Sequence, residues 1–455
     1  MIDMNNSNTG KSQIHRSAYT ACVPYKDTGT YLMHSFMTGK FALLTEKQKE
    51  VFEHPAEHLS EQIIPALLEY GFLSEEDDYS VLVEKLKKAN PRIPHNKNLT
   101  LEICPTMNCN FDCRYCFEAG RRRSGSMNDE TAAWVAEFAR KRIEETETSR
   151  LSVKWFGGEP SLEPERIREL SDRLIAVADG HGIPYNAYIQ TNGYLLTQEM
   201  ADMLEEKRVS TIEITIDGNK SSHDRLRVLS GGQGSYDIIM DRLFHLRTNM
   251  KLKIRCNLHK DNLSAYGDLM KDVEKMKAVT HNNIICTPRI IRARSNIPAE
   301  GTFLKDTVLT NEEYLHQFNS LYSMNHFEKP AYSDIEYFRG RMTSPCKGSN
   351  GTGFTIDELG NIYGCSMEVG NPGCVIGNVR TYENDASLAR TENYEFYRSS
   401  LCTDRDQCKN CVILPVCLGR CPRTWNEYYD CERLKGNLAD TMIKVYDLFQ
   451  NIQTV

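Results

Sequence analysis

LTLEICPTMNCNFDCRYCF, residues 99–117, runs from a short strand-like segment straight into three cysteines. Cys109, Cys113 and Cys116 stand at spacing C-x3-C-x2-C on what reads as one loop. Thiolates of this kind bind zinc or iron–sulfur clusters, and a complete site takes four ligands. Three leave a choice. A remote residue completes a zinc site, or the thiols are simply buried, or a cubane keeps one iron without a protein ligand. In the last case the vacant iron binds a small molecule.

The same text continues outward as alternating strands and helices. RLSVKWF (150–156), YNAYIQ (185–190), TIEITI (211–216), KLKIRCNL (251–258) and NIICTPRII (283–291) are short strand-like runs. Helical stretches separate them, among them NDETAAWVAEFARKRIEE (128–145), where Asn128 is the expected N-cap with Asp129 and Glu130 in the first turn. Six such repeats mean a parallel sheet, either doubly wound or closed towards a barrel. Both place ligands at the carboxyl ends of the strands. There lie GGEP (157–160), TNG (191–193) and Asp217-Gly218.

Residues 1–90 read as a small α+β module. AYTACVPY (18–25) and TYLMHSFMTGKFALLT (30–45) are strand-like, with a turn at Thr38-Gly39. Thr45 opens a helix as half of a capping box with Gln48, and SEQIIPALLEYGFL (60–73) and YSVLVEKLKKA (79–89) are further helical stretches. PRIPHNKN (91–98) reads as a polar linker. After about residue 340 the periodicity gives way to Cys- and Gly-rich loops, then a closing helix. A region without a core of its own needs staples, and in a reducing compartment metal centres serve.

At 455 residues, 40% of them apolar, the chain is large enough for two or three domains. No run of about 18 apolar residues suggests a membrane span. The opening MIDMNNSNTGKSQIHR has no signal-peptide character, so a cytoplasmic protein with reduced thiols is expected. A formal charge of −7 argues against a nucleic-acid partner. Arg121–Arg123 read as a solvated loop. Cys22, Cys104, Cys256 and Cys286, in strand-like runs, read as small buried hydrophobes.

The three-cysteine loop after a first strand, followed by GGEP at the end of the second, resembles the radical S-adenosylmethionine (SAM) enzymes. The resemblance spans about residues 99–300. It implies a 4Fe-4S cluster on Cys109, Cys113 and Cys116 whose open iron chelates SAM, and a flavodoxin- or ferredoxin-type electron donor. Tyr115 would lie against the adenine, and Gly157, Gly158 and Glu159 would form the platform for the SAM amino group. Gln190, Asn192 and Thr215 would point towards the ribose or substrate. Arg227 would pair with the SAM carboxylate, and Asn257 would face the same mouth. His223-Asp224 is read as a helix-start cap, and no catalytic base is singled out.

A second signature lies further on. Cys346, 13 residues, Gly360, four residues and Cys365 precede Cys408-x2-Cys411-x5-Cys417-x3-Cys421 and Cys431. These seven cysteines resemble the SPASM domain, which implies two auxiliary 4Fe-4S clusters. One would take Cys408, Cys411, Cys417 and Cys431. The other would take Cys346, Cys365 and Cys421, with Cys374, Cys402 or an open iron as its fourth position. Two structural zinc sites are the rival. The N-terminal organisation resembles the winged-helix element that binds leader peptides of ribosomally made, modified peptides by strand addition.

The expected fold is therefore α/β. A winged-helix-like leader-peptide-binding module (1–90) and a linker (91–98) precede a partial (β/α)6 radical SAM barrel (99–310). A bridging segment (311–345), a Cys-rich SPASM domain (346–435) and a C-terminal helix (436–455) follow. The expected activity is a radical SAM peptide maturase forming a thioether crosslink in a ribosomally synthesised precursor. Carbon–carbon or carbon–oxygen crosslinking is a close rival. A sulfatase maturase making formylglycine is another, disfavoured by the 95 or so residues ahead of the cluster motif. A non-catalytic iron–sulfur carrier is disfavoured by GGEP, TNG and TIDG.

Overall fold

The computed structural model describes residues 14–89, 98–291, 338, 346–348, 351–388, 391–399, 406–418 and 438–453. Two compact units make up the chain. One combines residues 1–93 with 322–345 and 401–455, the other residues 94–321 with 346–400.

In the first unit, β1 (His15–Arg16) is followed by the antiparallel sheet of β2 (Thr20–Tyr25), β3 (Thr30–Ser35) and β4 (Phe41–Thr45). Gly39, with φ 72°, turns β3 into β4 at the expected place. Helix α1 (Glu46–Glu53) starts at Thr45, whose hydroxyl accepts the Gln48 N–H while the Gln48 side chain accepts the Thr45 N–H, the box anticipated from sequence. Helix α2 (Ile64–Glu69) is shorter than its periodic stretch. Gly71, at φ 72° and pressed against Thr38, ends it, and β5 (Leu73–Ser74) pairs with β1 before α3 (Asp78–Ala89). Strand alternation sorts the sheet's side chains. Met33 and Leu44 meet Phe52, Leu67 and Phe72 on one face, and Leu32 and Phe36 meet Val416, Met442 and Val445 on the other. The C-terminal helix Leu438–Gln453 thus covers the far side of the N-terminal sheet.

The second unit is built on β6 (Asn98–Ile103), α4 (Asp129–Thr146), β7 (Arg150–Trp155), α5 (Pro164–Gly180), β8 (Tyr185–Thr191) and α6 (Gln198–Glu206). It continues through β9 (Val209–Thr215), α7 (Lys220–Leu226), α8 (Tyr236–His245), β10 (Lys251–Leu258), α9 (Ala265–Thr280) and β11 (Ile284–Ile290). Asn128 caps α4 as expected, accepting the Thr131 N–H at 2.8 Å. The six strands are parallel and adjacent in chain order, β6 to β11, without the reversal of order that a doubly wound sheet has at its switch point. The choice left open by the sequence falls to the partial barrel. Strand β12 (Gly353–Ile356) adds to β6 in parallel, and β13 (Asn361–Tyr363) and β14 (Val375–Asn378) extend the edge antiparallel.

One face of this sheet is dry. Leu101, Val153, Trp155, Ile189, Ile212 and Ile254 are fully buried in a common core with Val135, Phe138, Leu170, Leu204 and Leu243 of the helices. Each such side chain contributes about 1.5–3 kcal/mol on burial. Arg121–Arg123 are not the solvated run expected. Arg123 is clasped by Asp357 and Glu358 at 2.8–2.9 Å, and Arg121 donates to the Met367 carbonyl at 2.7 Å. Of the four strand cysteines, Cys104, Cys256 and Cys286 are buried and Cys22 only half-buried.

Candidate active site

The three-cysteine loop leaves the end of β6 and is laced to the segment after α7. Asp112 N–H donates to the Val228 carbonyl at 2.8 Å, Arg114 N–H to Leu226 at 3.0 Å, and Ser230 N–H to Asn110 at 2.9 Å. The Phe111 N–H points at Cys109 Sγ, 3.4 Å away. Burial pushes the Cys109 thiol up to about 12 and Cys113 to about 11, and raises Cys116. Thiols so placed lose their protons only beside a strong cationic partner such as a coordinated metal. Among the described residues no three His, Cys, Asp or Glu side chains converge on a single-ion site.

GGEP lies directly on this loop. A Cβ at Gly158 would stand 2.1 Å from the Asn108 carbonyl oxygen, and one at Gly157, whose φ is +107°, 2.6 Å from that of Thr106. The glycines therefore let two stretches of backbone touch. Glu159 is fully engaged. Its buried carboxylate accepts from Thr191 Oγ1 at 2.5 Å, the Asn192 N–H at 2.7 Å and the Ser161 N–H at 3.0 Å. Asn192 in turn donates to Asn110 Oδ1 at 2.7 Å, tying the end of β8 to the cysteine loop.

Tyr115, Arg227 and Asn257 meet around Asp217, which the sequence placed at the strand ends without giving it a role. The Tyr115 hydroxyl donates to Asp217 and accepts from Arg227 at 2.9 Å and Asn257 Nδ2 at 3.1 Å. Asp217 is fully buried and also accepts the Asn257 N–H at 2.8 Å. Arg227 Nε is buried without a hydrogen-bond partner among the described residues. A hydrogen-bonded chain props Arg227 from behind. Asp217 N–H donates to His223 Nδ1 at 3.2 Å, which leaves the ring's Nε2–H for Ser235 Oγ at 3.0 Å, and that hydroxyl donates to the Arg227 carbonyl at 2.9 Å. Burial, with Arg227 adding to it, holds His223 neutral. His223 is thus not a cap; Asn219 starts α7. Asp224 does cap, but it caps α8, accepting from the Ser235 and Tyr236 N–H groups.

Thr215 and Gln190 lie on the sheet face away from the helices. Thr215 aligns with Arg255 and Gln190 with Glu213. That face carries a charged ladder that the sequence reading missed: Glu102, Lys154, Glu213, Lys253 and Arg255. Its signal was available, ionic residues at alternate positions inside otherwise apolar strands.

In the same unit the segments that carry Cys346 and Cys365 touch, since Gly348 presses on the Gly364 carbonyl, where a Cβ would stand 2.4 Å away. Cys374 packs beside Cys104, Tyr363 and Val369. In the other unit Cys408, Cys411 and Cys417 share one hairpin of short helices. Cys411 N–H donates to Cys408 O at 2.9 Å and Cys417 N–H to Ile413 O at 2.9 Å, and the hairpin is anchored by the Tyr19 hydroxyl on Lys409 O at 2.8 Å. Cys402, Cys421 and Cys431 lie outside the described residues.

Residues 103–273 match the Radical SAM superfamily. A solved structure of native anSMEcpe with bound AdoMet and Cp18Cys peptide superposes with a TM-score of 0.59 at 18% identity, over 77% of this chain and 99% of that one. This is the radical SAM fold. Streptococcus suis SuiB bound to precursor peptide SuiA superposes with a TM-score of 0.50 at 16% identity, covering 90% of this chain and 95% of that one. In sequence, the cysteine-type anaerobic sulfatase-maturating enzyme of Clostridium novyi is 24% identical over 77% of this chain and 96% of its own length. The radical SAM cyclopropyl synthase TigE of Paramaledivibacter caminithermalis is 23% identical over 84% and 80% respectively. The radical SAM barrel is thus shared by relatives whose names indicate different products. No helix among the described residues is long and apolar enough to cross a membrane.

Proposed function

We propose that the chain is a radical SAM maturase that forms a thioether crosslink in a ribosomally made precursor peptide. Cys109, Cys113 and Cys116 would hold the SAM-binding 4Fe-4S cluster. The observation that carries this is the mouth itself: a three-thiol loop pinned to a glycine turn, beside a buried arginine with an unpartnered Nε. When bound, the cluster and SAM supply a 5'-deoxyadenosyl radical able to take a hydrogen atom from carbon. Gly157 and Gly158 keep the platform close to the cysteine loop, and Glu159 and Asn192 fix its position. Arg227, propped by His223 and Ser235, would offer its Nε–H to the SAM carboxylate. Tyr115 and Asn257, locked onto Asp217, would border the adenosyl group, with Gln190 and Thr215 towards the substrate.

Residues 1–90 would hold the precursor's leader, raising the effective concentration of its core segment at the barrel mouth. Cys346, Cys365, Cys408, Cys411, Cys417, Cys421 and Cys431 would carry two auxiliary clusters, and a flavodoxin- or ferredoxin-type protein in the cytoplasm would supply electrons. A second reading, a sulfatase maturase, is favoured by the similarity to the Clostridium novyi enzyme over nearly its whole length. Anaerobically reconstituted protein, reduced by dithionite, should convert SAM to 5'-deoxyadenosine. With the precursor encoded beside the gene, mass spectrometry should find a loss of two hydrogens. The same loss together with exchange of a cysteine sulfur for oxygen would select the sulfatase reading, and no 5'-deoxyadenosine would overturn both.

A further inference from the structure

The helix-free face of the barrel sheet carries more positive charge than it neutralises. Aligned across the sheet stand Thr355 of β12, Glu102 of β6, Lys154 of β7 and Tyr188 of β8. Glu213 of β9 faces Lys253 of β10 in register. Each carboxylate is shared by two cations. Glu102 takes Lys347 at 2.7 Å and Lys154 at 3.5 Å, and Glu213 takes Lys253 at 2.6 Å and Arg255 at 3.7 Å. Within these ion pairs four cations share two carboxylates. The further carboxyl that feels Lys154, Glu118, is pushed up to about 7 by its own burial and so offsets little of the excess. The setting is only partly open to water. There a charge is screened poorly and an anion is attracted more strongly than at an open surface.

Lys154 is the weakly held member. Glu102 already accepts from Lys347 and, at 3.1 Å, from the Thr355 hydroxyl. The Lys154 side chain is only 11% exposed, yet its closest anionic partner among the described residues is the Glu102 oxygen at 3.5 Å, beyond normal hydrogen-bond length. Its ammonium rests instead over the Phe156 ring at 4.1 Å, with the Tyr188 ring at 5.8 Å. Rings hold the cation in place without using up its N–H donors. Lys154 also precedes Gly157 by three residues on the strand that delivers the glycine turn, so whatever it binds lies within reach of the mouth.

Resting on the maturase reading above, we infer that Lys154, framed by Phe156 and Tyr188 and backed by the cationic ladder, binds a carboxylate of the peptide substrate and so selects the residue presented at the barrel mouth. That carboxylate comes either from an acidic side chain or from a peptide C-terminus.

Saturation-transfer NMR on the reconstituted holoenzyme with small probes tests this. N-acetyl-aspartate N-methylamide carries a side-chain carboxylate, N-acetyl-alanine a terminal one, and N-acetyl-asparagine N-methylamide neither. One of the two carboxylates should bind at least about tenfold more tightly than the asparagine probe, as expected for a charge-assisted contact, and which one does identifies the source. Lys154→Met should abolish that preference, and Lys154→Arg should keep it. Equal binding of charged and neutral probes, absence of binding by any, or an unchanged preference in Lys154→Met overturns the inference. The charged-against-neutral comparison needs only wild-type protein, so a misfolded variant does not shield the proposal. Conversion of SAM to 5'-deoxyadenosine by the wild type, without probe, reports separately on the radical SAM reading.

Discussion

The two faces of the barrel sheet are built from the same strands yet obey opposite rules. Towards the helices, Val153, Trp155, Ile189, Ile212 and Ile254 make an apolar layer that holds the unit together. One residue along each strand, on the other face, stand Lys154, Gln190, Glu213 and Arg255, whose polar groups must each find a partner or a ligand. Period-two alternation thus lets a single strand serve stability with one set of side chains and recognition with the other. The strand ends, where the cysteine loop and GGEP meet, add a third demand: backbone brought closer than any Cβ allows.

The strongest test of this division is at the strand ends. Cys113→Ala removes one of three thiols from a loop whose backbone is held independently by the Val228 and Leu226 carbonyls. It should take 5'-deoxyadenosine formation to background and cut iron content, while circular dichroism and thermal unfolding of the unloaded chain stay close to wild type. If full activity persisted, the loop would not be the metal-binding element.

Next in size comes the dry face. Ile254→Ala deletes a fully buried side chain and should destabilise the barrel by about 2–5 kcal/mol. Discrimination among the carboxylate probes should be unaltered in the protein that remains folded. Denaturant titration gives the first quantity and saturation transfer the second; altered discrimination would mean that the two faces are not separable. Gly158→Ala should fall between the two classes. Its new methyl would press on the Asn108 carbonyl, a backbone atom that cannot swing aside, for about 1–3 kcal/mol. It should also displace the segment leading to Cys109, so cluster reconstitution should suffer beyond what the stability loss predicts.

These differences also explain what was legible beforehand. The strands, the Thr45 and Asn128 caps and the glycine turn announce themselves locally, through periodicity and side-chain chemistry within a few residues. Periodicity alone did not decide barrel against doubly wound sheet, because strand order is a long-range property; the resemblance carried by the cysteine loop and GGEP did. Asp217 was missed as the hub of Tyr115, Arg227 and Asn257 because its partners lie up to 102 residues away in sequence. His223 looked like a cap because it follows a turn; its role emerges only when Ser235 comes back over it from α8. Arg123 looked solvated because Asp357 and Glu358, which clasp it, lie more than 230 residues downstream.

The smallest effect separates the faces by pH. Burial works against the charge of Glu102, but Lys347 and Lys154 more than compensate and hold its carboxyl at about 2, against an ordinary value of 4.5. A carboxyl lowered on folding stabilises the native state fully above its unfolded value, and that contribution is lost as the pH falls through the folded one. Wild-type stability should therefore decline between pH 4.5 and pH 2 with a component from this one proton, and Glu102→Gln should remove that component, leaving a shallower acid limb. Ile254→Ala, on the other face, should lower the whole stability curve and leave its slope against pH alone. Urea unfolding at a series of pH values distinguishes the outcomes, and an unchanged slope in Glu102→Gln would mean that the ladder does not hold this carboxylate ionised.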